Sequence, residues 1–366
     1  MKPERVIISG GGTGGHIFPA IAIANEIKKQ FPDCQILFVG ANGRMEMEKV
    51  PQAGFKIIGL NIVGFNRKSL LKNTLLPFKL LMSLRQARKI ITEFHPQLVI
   101  GVGGYASGPT LKAAIWKKIP TLIQEQNSFP GKTNLILAKD VKAVCVAYSQ
   151  MDRFFPADRI HLTGNPVRSD ILEVNQKQKE AIAYYGLNPN QKTVFIMGGS
   201  LGARTLNQSV LNFIDTIGSN TNIQVLWQCG RLHFESIKQH DIPSNVTLLS
   251  FIDRMDLAYA AADLIVSRAG ATSISELAVV GKPAIFVPSP NVAEDHQTKN
   301  AMALTNRGAA IFLSDASAPL ELWPLIEKTI GDAKKRAALS DSISAAALPN
   351  ATKDIVKIGV QLIQLL

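Results

Sequence analysis

Residues 9–20 read SGGGTGGHIFPA: five glycines in six positions, then His16 where a helix is due to begin. Glycine at that density serves a main chain that must turn with positive φ or come close to a ligand, because a Cβ would obstruct both. Imidazole titrates near neutral pH and can take a proton from a weak nucleophile such as a hydroxyl. Two further glycine-rich segments, GVGGYASGP (101–109) and GGSLGA (198–203), also end short apolar runs. Any one of the three could be a tight turn without function. All three together, each ahead of a helix whose first N–H groups lack intrahelical acceptors, point to a phosphate-bearing ligand.

Other motifs narrow the chemistry. Gly10, Gly12 and Gly15 fit G-x-G-x-x-G, so a dinucleotide-binding oxidoreductase has to be weighed; the next strand, however, ends in FVGANGR, without the acid that would hold a ribose 2′-hydroxyl. GKT at 131–133 is not a P-loop, since Gln126 stands where that motif needs glycine. SRAGATSISELAVVGKP (267–283) sets a small-residue turn before a helix, with Glu276 about a turn and a half inside. A carboxylate there either stabilises the helix start, which is common, or accepts hydrogen bonds from vicinal hydroxyls, as a ribose offers. No two aspartates are separated by a single residue, so the D-x-D that carries a divalent ion in metal-dependent sugar transferases is absent. No metal site and no cofactor are expected, and helix N-termini and Arg side chains must neutralise any leaving diphosphate.

The elements that position these residues alternate from end to end. RVIIS, a helix from about Pro19 to Lys29, QILFVG, a helix near 77–93, QLVIGVG, a helix after Pro109, TLIQEQ and AVCVAY follow one another. Such alternation predicts βαβ units and a parallel sheet covered on both faces. After HLTGNPVRSDI the pattern restarts: TVFIMGGSLGARTLNQSVLNFI repeats the strand, glycine loop and helix of VIISGGGTGGHIFPAIAIANEI. Later segments include a helix from about Asn300 and a closing amphipathic helix in ATKDIVKIGVQLIQLL. At 366 residues the chain exceeds what one core usually supports. The expected fold is therefore α/β, two Rossmann-like doubly wound domains facing a cleft, with the glycine loops at the carboxyl ends of the strands.

Charge and composition bound the partners. Residues 1–165 hold 22 Lys and Arg against 10 Asp and Glu, whereas residues 166–366 hold 18 of each, so the first half carries the whole net charge of +12. Between residues 49 and 92 there is no acid and nine basic residues, interleaved with SLLKNTLLPFKLLMSL. A helix burying one face leaves lysines exposed as a matter of course, but basic and apolar residues mixed in this way favour an anionic membrane surface over a nucleic acid. No apolar run reaches the ~20 residues of a membrane span, and the start is too short for a signal peptide. Cys34, Cys145 and Cys229 lie far apart without metal-ligand spacing, which suits reduced thiols in a cytoplasmic protein.

In order and spacing, GGGTGGHIFPA, GVGGYASGP, EQNSFPGKTN, GNPVR, GGSLGARTLN and SRAGATSISELAVVGKPAIFVP resemble the bacterial undecaprenyldiphospho-muramoylpentapeptide β-N-acetylglucosaminyltransferases of peptidoglycan lipid II synthesis. The resemblance runs over nearly the whole chain. It implies the two-domain GT-B glycosyltransferase fold: an acceptor- and membrane-binding domain over 1–165, a UDP-sugar-binding domain over 166–344, and a C-terminal helix within 345–366 returning to the first domain. It implies inverting transfer of N-acetylglucosamine from UDP-N-acetylglucosamine to a lipid-linked muramoyl-pentapeptide, at the cytoplasmic face of the plasma (inner) membrane, with other cell-wall synthesis proteins as partners. By the same resemblance Ser200 and Arg168 match positions near the diphosphate, main-chain groups at Phe251 and Ile252 those reading uracil, and Glu276 the ribose ligand. Ala271, Asn127 and Gln297 match sugar contacts, although EDHQTKNA carries one more residue than the family's pattern. Thr13, Gly14 and Gly15 match donor contacts, while GGTGG with Gly103, Gly104, Tyr105 and Ser107 would surround the acceptor's diphosphate. His16 would be the base on the acceptor hydroxyl; a histidine that only donates a hydrogen bond to substrate is the competing reading, and Glu125 and Glu294 are rival bases. Other possibilities are a UDP-sugar transferase acting on a diacylglycerol, a UDP-sugar epimerase and a non-catalytic nucleotide-binding protein; GGYASGP with EQN favours the muramoyl acceptor.

Overall fold

A computed structural model describes residues 2–62, 76–199 and 201–365. Ser200 and much of the acid-free basic segment, including Arg67, Lys68 and Lys72, lie outside the described residues. The chain divides into two compact units, Met1–Val167 with Pro349–Leu366, and Arg168–Leu348.

The first unit is built on a parallel sheet of seven strands: β1 (Arg5–Ser9), β2 (Gln35–Ala41), β3 (Lys56–Leu60), β4 (Leu98–Gly101), β5 (Thr121–Glu125), β6 (Ala143–Val146) and β7 (Ile160–Leu162). Their spatial order is β3-β2-β1-β4-β5-β6-β7. A parallel sheet is covered on both faces, so its strands read as unbroken apolar runs, and Val6, Ile7 and Ile8 of β1 are all fully buried. Alternation then sorts them. Val6 and Ile8 join a core with Ile17, Ile23 and Ile27 of the helix Gly14–Gln30 and with Ile355, Val356 and Ile363 of the C-terminal helix Ala351–Gln364. Ile7 points the other way, to Ala87 and Ile91 of the helix Leu76–Phe94 and Leu111 of the helix Ser107–Trp116.

The second unit repeats the winding with β8 (Lys192–Met197), β9 (Ile223–Gln228), β10 (Val246–Leu249), β11 (Leu264–Ser267), β12 (Ala284–Phe286) and β13 (Ile311–Phe312), in the order β10-β9-β8-β11-β12-β13. Its core holds Trp227 completely buried, and the indole N–H is satisfied by Asn207 Oδ1 at 3.1 Å. In each sheet the chain leaves the first strand to one side and returns on the other. The crevice between those connections lies beside β1 and β4 in one unit and beside β8 and β11 in the other, and the glycine loops stand at both places.

Two helix boundaries differ from the sequence expectation. The first helix begins at Gly14, not near Pro19, because Thr13 is already extended (φ −145°, ψ 157°) and acts as the N-cap; Pro19 lies inside the helix. His16 is thereby a residue of the first helical turn rather than of the loop. The helix expected from about Asn300 starts at His296. The closing helix starts at Ala351, the first residue of the expected segment, since Pro349 disfavours helical geometry in the residue before it.

One buried ionic cluster fastens the second unit. Asp256, 2% exposed, accepts from Lys177 Nζ at 2.8 Å and from Arg254 Nε and Nη2, both at 2.9 Å. The Arg254 guanidinium, with Lys177 beside it, holds the Asp256 carboxyl well below the usual carboxylate range. A carboxyl depressed in the folded state contributes stability above its unfolded value of about 4 and loses it as the pH falls through the folded value. Asp256→Asn is expected to cost roughly 2 kcal/mol near neutrality, the half-exposed Arg254 limiting the figure. Denaturant unfolding should find the gap between parent and variant narrowing progressively below about pH 4.

Candidate functional site

In the first unit the loop after β1 is pressed against the loop after β4. Gly103 (φ +92°) and Gly104 (φ +84°) are left-handed, and a Cβ on Gly104 would stand 3.0 Å from Gly11 N and closer still to the Gly11 carbonyl oxygen. Glycine is required there on both counts. Gly12 (φ +87°) donates its N–H to Glu46 Oε2 at 2.8 Å, and Glu46 Oε1 accepts from Ala41 N at 3.0 Å. Glu46 is 1% exposed, so a buried carboxylate braces the glycine loop from beneath.

His16 Nδ1 lies 3.0 Å from the Gly11 carbonyl oxygen and 3.3 Å from Thr13 Oγ1. A carbonyl oxygen can only accept, so Nδ1 carries the proton and the neutral ring has its lone pair on Nε2. Nε2 stands beside Gly103, where a Cβ would come within 2.9 Å of it. The loop thus fixes both the tautomer and the orientation of the ring. Tyr105 is exposed, whereas Ser107 is buried and donates to the Gly104 carbonyl at 2.9 Å, so its hydroxyl fixes the loop.

Glu125 is differently placed. Its Oε1 accepts from Asn127 N (3.0 Å) and Asn127 Nδ2 (3.1 Å), and its Oε2 from Gly131 N (3.1 Å) and Asn134 Nδ2 (2.8 Å). A buried carboxylate holding four donors organises its own loop and has no lone pair to offer a hydroxyl. Glu125 therefore holds Asn127 in place.

In the second unit, Gly199 (φ +83°) and Gly202 (φ +82°) shape the loop between β8 and the helix Arg204–Leu211, and Gly202 N donates back to Gly199 O at 2.9 Å. Ala271 opens the helix Ala271–Val280, after Gly270 in an extended N-cap conformation. On that helix Glu276 receives the Tyr259 hydroxyl on Oε2 at 2.9 Å, and Arg168 Nε lies 3.6 Å from Oε1. Burial pushes the Glu276 carboxyl above its ordinary range, with Arg168 and Tyr259 pulling it back. Ile252 is buried. Ser289 N donates to Gln297 Oε1 at 2.8 Å, which leaves the amide NH2 as the end Gln297 can present to a ligand. Glu294 and Asp295 are consecutive left-handed residues (φ 56° and 53°), a backbone that costs about 1–3 kcal/mol each.

Sequence reasoning passed over several of these groups. Glu46 looks no different from exposed Glu48 two residues on. Tyr259, in LAYAAAD, reads as core filler. Arg268 donates to the carbonyls of Val287 (2.9 Å) and Pro288 (3.2 Å) and pairs with Asp315, whose other oxygen accepts from Thr205 Oγ1 at 2.9 Å. That chain of contacts ties the loops after β11 and β12 to the start of the Arg204–Leu211 helix. Among the described residues no group of three His, Cys, Asp or Glu is arranged to hold a metal ion.

Residues 6–146 match the glycosyltransferase family 28 N-terminal domain, and residues 193–355 the family 28 C-terminal domain. A Flavobacterium psychrophilum protein named UDP-N-acetylglucosamine–N-acetylmuramyl-(pentapeptide) pyrophosphoryl-undecaprenol N-acetylglucosamine transferase is 55% identical over 364 residues, covering 100% of this chain and 99% of its own. A Bacteroides fragilis protein of the same name is 53% identical, with 98% of this chain and 96% of that one aligned. Among solved structures, Acinetobacter baumannii MurG superposes with a TM-score of 0.78 at 31% identity, over 98% of this chain and 100% of that one.

Gly104→Ala combines a left-handed backbone with a collision against Gly11. It is expected to lower stability by on the order of 2 kcal/mol or more, read as a fall in melting temperature. Gly131→Ala, where a Cβ meets nothing within 4 Å, should leave the melting temperature nearly unchanged.

Proposed function

Because this chain belongs to glycosyltransferase family 28, matching both its domain models, we propose that it transfers N-acetylglucosamine from UDP-N-acetylglucosamine to the 4-hydroxyl of the lipid-linked muramoyl-pentapeptide. This is the lipid I to lipid II step of peptidoglycan synthesis. The observation that carries the reading is the 55% identity, over the full length of both chains, to a relative bearing that transferase's name.

The reaction is a single displacement. His16 Nε2 accepts the proton of the muramoyl hydroxyl, whose oxygen bonds to the anomeric carbon of N-acetylglucosamine. The bond from that carbon to the β-phosphate oxygen breaks, UDP departs from the opposite face, and the new linkage is β. The Nδ1–H bond to the Gly11 carbonyl steadies the imidazolium as it forms. Gly103, Gly104 and Tyr105, with the GGTGG loop, surround the acceptor's diphosphate, which favours N–H-rich backbone and helix N-termini.

On the donor side Glu276 accepts the ribose hydroxyls, main-chain groups at Ile252 read the uracil, and Arg168 and Ser200 meet the diphosphate. By the same proposal Ala271, Asn127 and Gln297 are sugar contacts, and Thr13, Gly14 and Gly15 are donor contacts. The chain carries no D-x-D, and Arg168 with the helix N-termini supplies positive charge for the departing diphosphate.

The first unit docks on the cytoplasmic face of the plasma (inner) membrane. No helix among the described residues is long and apolar enough to cross a bilayer. The helix Leu76–Phe94 buries Ser83, Ala87, Ile90 and Ile91, yet Phe78 is 61% exposed and Leu80, Leu81 and Met82 are exposed beside it, with Arg85, Arg88 and Lys89 further along. Exposed apolar and basic residues on one helix suit an anionic interface.

His16→Ala should lower the turnover number about 100-fold or more while UDP binding stays near the parent's, with transfer of labelled N-acetylglucosamine to a synthetic lipid-linked acceptor as the assay. Turnover within a few-fold of the parent would make His16 a positioning residue.

Replacing Lys68, Lys72 and Lys79 by Glu should release the protein from anionic vesicles in co-sedimentation while sparing transfer to a short-chain soluble acceptor. Salt should weaken parent binding but leave an apolar remainder, because a Debye length of ~3 Å at 1 M screens charge alone. Unaltered sedimentation of the triple variant would reduce the stretch to a solvated face.

A further inference from the structure

Glu276 is 13% exposed at its side chain and is faced by three titratable or charged groups: Tyr259 from the helix Met255–Ala261, and Arg168 and Asp170 at the start of the second unit. Tyr259 is 1% exposed, its ring set at 65° to that of Phe195 on β8 with centroids 6.0 Å apart, and its hydroxyl donates to Glu276 Oε2 at 2.9 Å. Arg168 is looser. Its Nε stands 3.6 Å from Glu276 Oε1 and 3.9 Å from Asp170 Oδ1, beyond good hydrogen-bond distance for either, and its side chain is 42% exposed. The bond that fixes the carboxylate plane therefore comes from the rigidly packed phenol.

A carboxylate accepts at about four lone-pair sites. Tyr259 occupies one on Oε2, leaving the other oxygen and one further site for donors from a ligand. A cis-diol supplies two hydroxyl donors at a fixed separation, and a 2′-deoxyribose supplies only one.

We propose that Tyr259 is a positioning residue for donor recognition, pinning Glu276 so that its remaining acceptor sites match both ribose hydroxyls and thereby select a ribonucleotide over a deoxyribonucleotide. The inference rests on the reading of Glu276 as the ribose ligand and extends it to a residue that touches no substrate. Discrimination follows because a deoxy ligand leaves one acceptor of a largely buried carboxylate unpaired. Burial already raises the Glu276 carboxyl, and the Tyr259 hydroxyl is among the groups opposing that rise. Loss of the hydroxyl moves protonation to higher pH.

The test measures UDP and 2′-deoxy-UDP binding by calorimetry across pH on the full chain, for the parent and Tyr259→Phe. The variant should bind UDP about 10-fold more weakly near neutrality, as expected for loss of an orienting hydrogen bond to a charged group. Its preference for UDP over 2′-deoxy-UDP should shrink several-fold, and the pH below which UDP binding fails should rise. A merely structural role would weaken both nucleotides alike and leave that pH where it was, and this outcome overturns the proposal. Should Tyr259→Phe fail to fold, Glu276→Asp replaces it, since it keeps the charge and Tyr259 but draws the carboxylate one methylene away from the phenol hydroxyl. A several-fold smaller preference for UDP over 2′-deoxy-UDP in Glu276→Asp supports recognition by the pinned carboxylate, and an unchanged preference refutes it. Because no acceptor is present, failure to glycosylate the lipid-linked muramoyl-pentapeptide would sink the transfer reading without touching this one. Equal affinity of the parent for the two nucleotides would remove the ribose assignment itself.

Discussion

The first unit depends on a contact between two stretches of bare backbone: Gly104 against Gly11, where the connections after β4 and β1 part. Side chains on either strand end would hold the loops apart, and the crevice that a doubly wound sheet opens there would be filled by protein. With the loops touching, Gly11 turns its carbonyl to His16 Nδ1, and Gly12 turns its N–H to Glu46. One tight approach therefore sets the histidine tautomer, its direction and the shape of the glycine loop.

Buried carboxylates divide according to how many donors reach them. Asp256 and Glu125 are supplied with three and four hydrogen bonds, and each is a structural anchor, one of the second unit and one of the loop that carries Asn127. Glu46 has one main-chain N–H on each oxygen and holds the glycine loop. Glu276 has a single close donor, Tyr259, and a guanidinium at longer range. Unsatisfied acceptor capacity in a low-dielectric site is costly unless a ligand completes it. Glu276 is the least satisfied carboxylate of the four.

The two sheets share a winding order, yet their switch points carry different chemistry. The first pairs a glycine loop with an imidazole; the second pairs a glycine loop with a carboxylate braced by a phenol and, through Arg268, Asp315 and Thr205, with neighbouring loops. A common backbone geometry turns the chain sharply in both. Side chains at the loop ends then differ, an imidazole of fixed tautomer in the first and a largely buried carboxylate with acceptor capacity to spare in the second.

The sequence by itself determined the fold class, because strands buried on both faces must be apolar throughout and RVIIS, TVFIM and their successors are. It also marked His16 and Glu276 as chemically suited residues, through the glycine turns that precede them. Tertiary structure decided what those residues can do. Glu46 lies 34 positions from Gly12, Tyr259 17 from Glu276, and Asp315 47 from Arg268. Local periodicity records which face of an element is buried, but a polar partner at such separations is chosen only when strand order brings two loops to one edge of a sheet. The same reason separates Glu46 from Glu48 and accounts for the four donors on Glu125: main-chain N–H groups, joined at Glu125 by two asparagine side-chain amides, come from segments that are distant, or folded back, in ways that residue spacing does not encode.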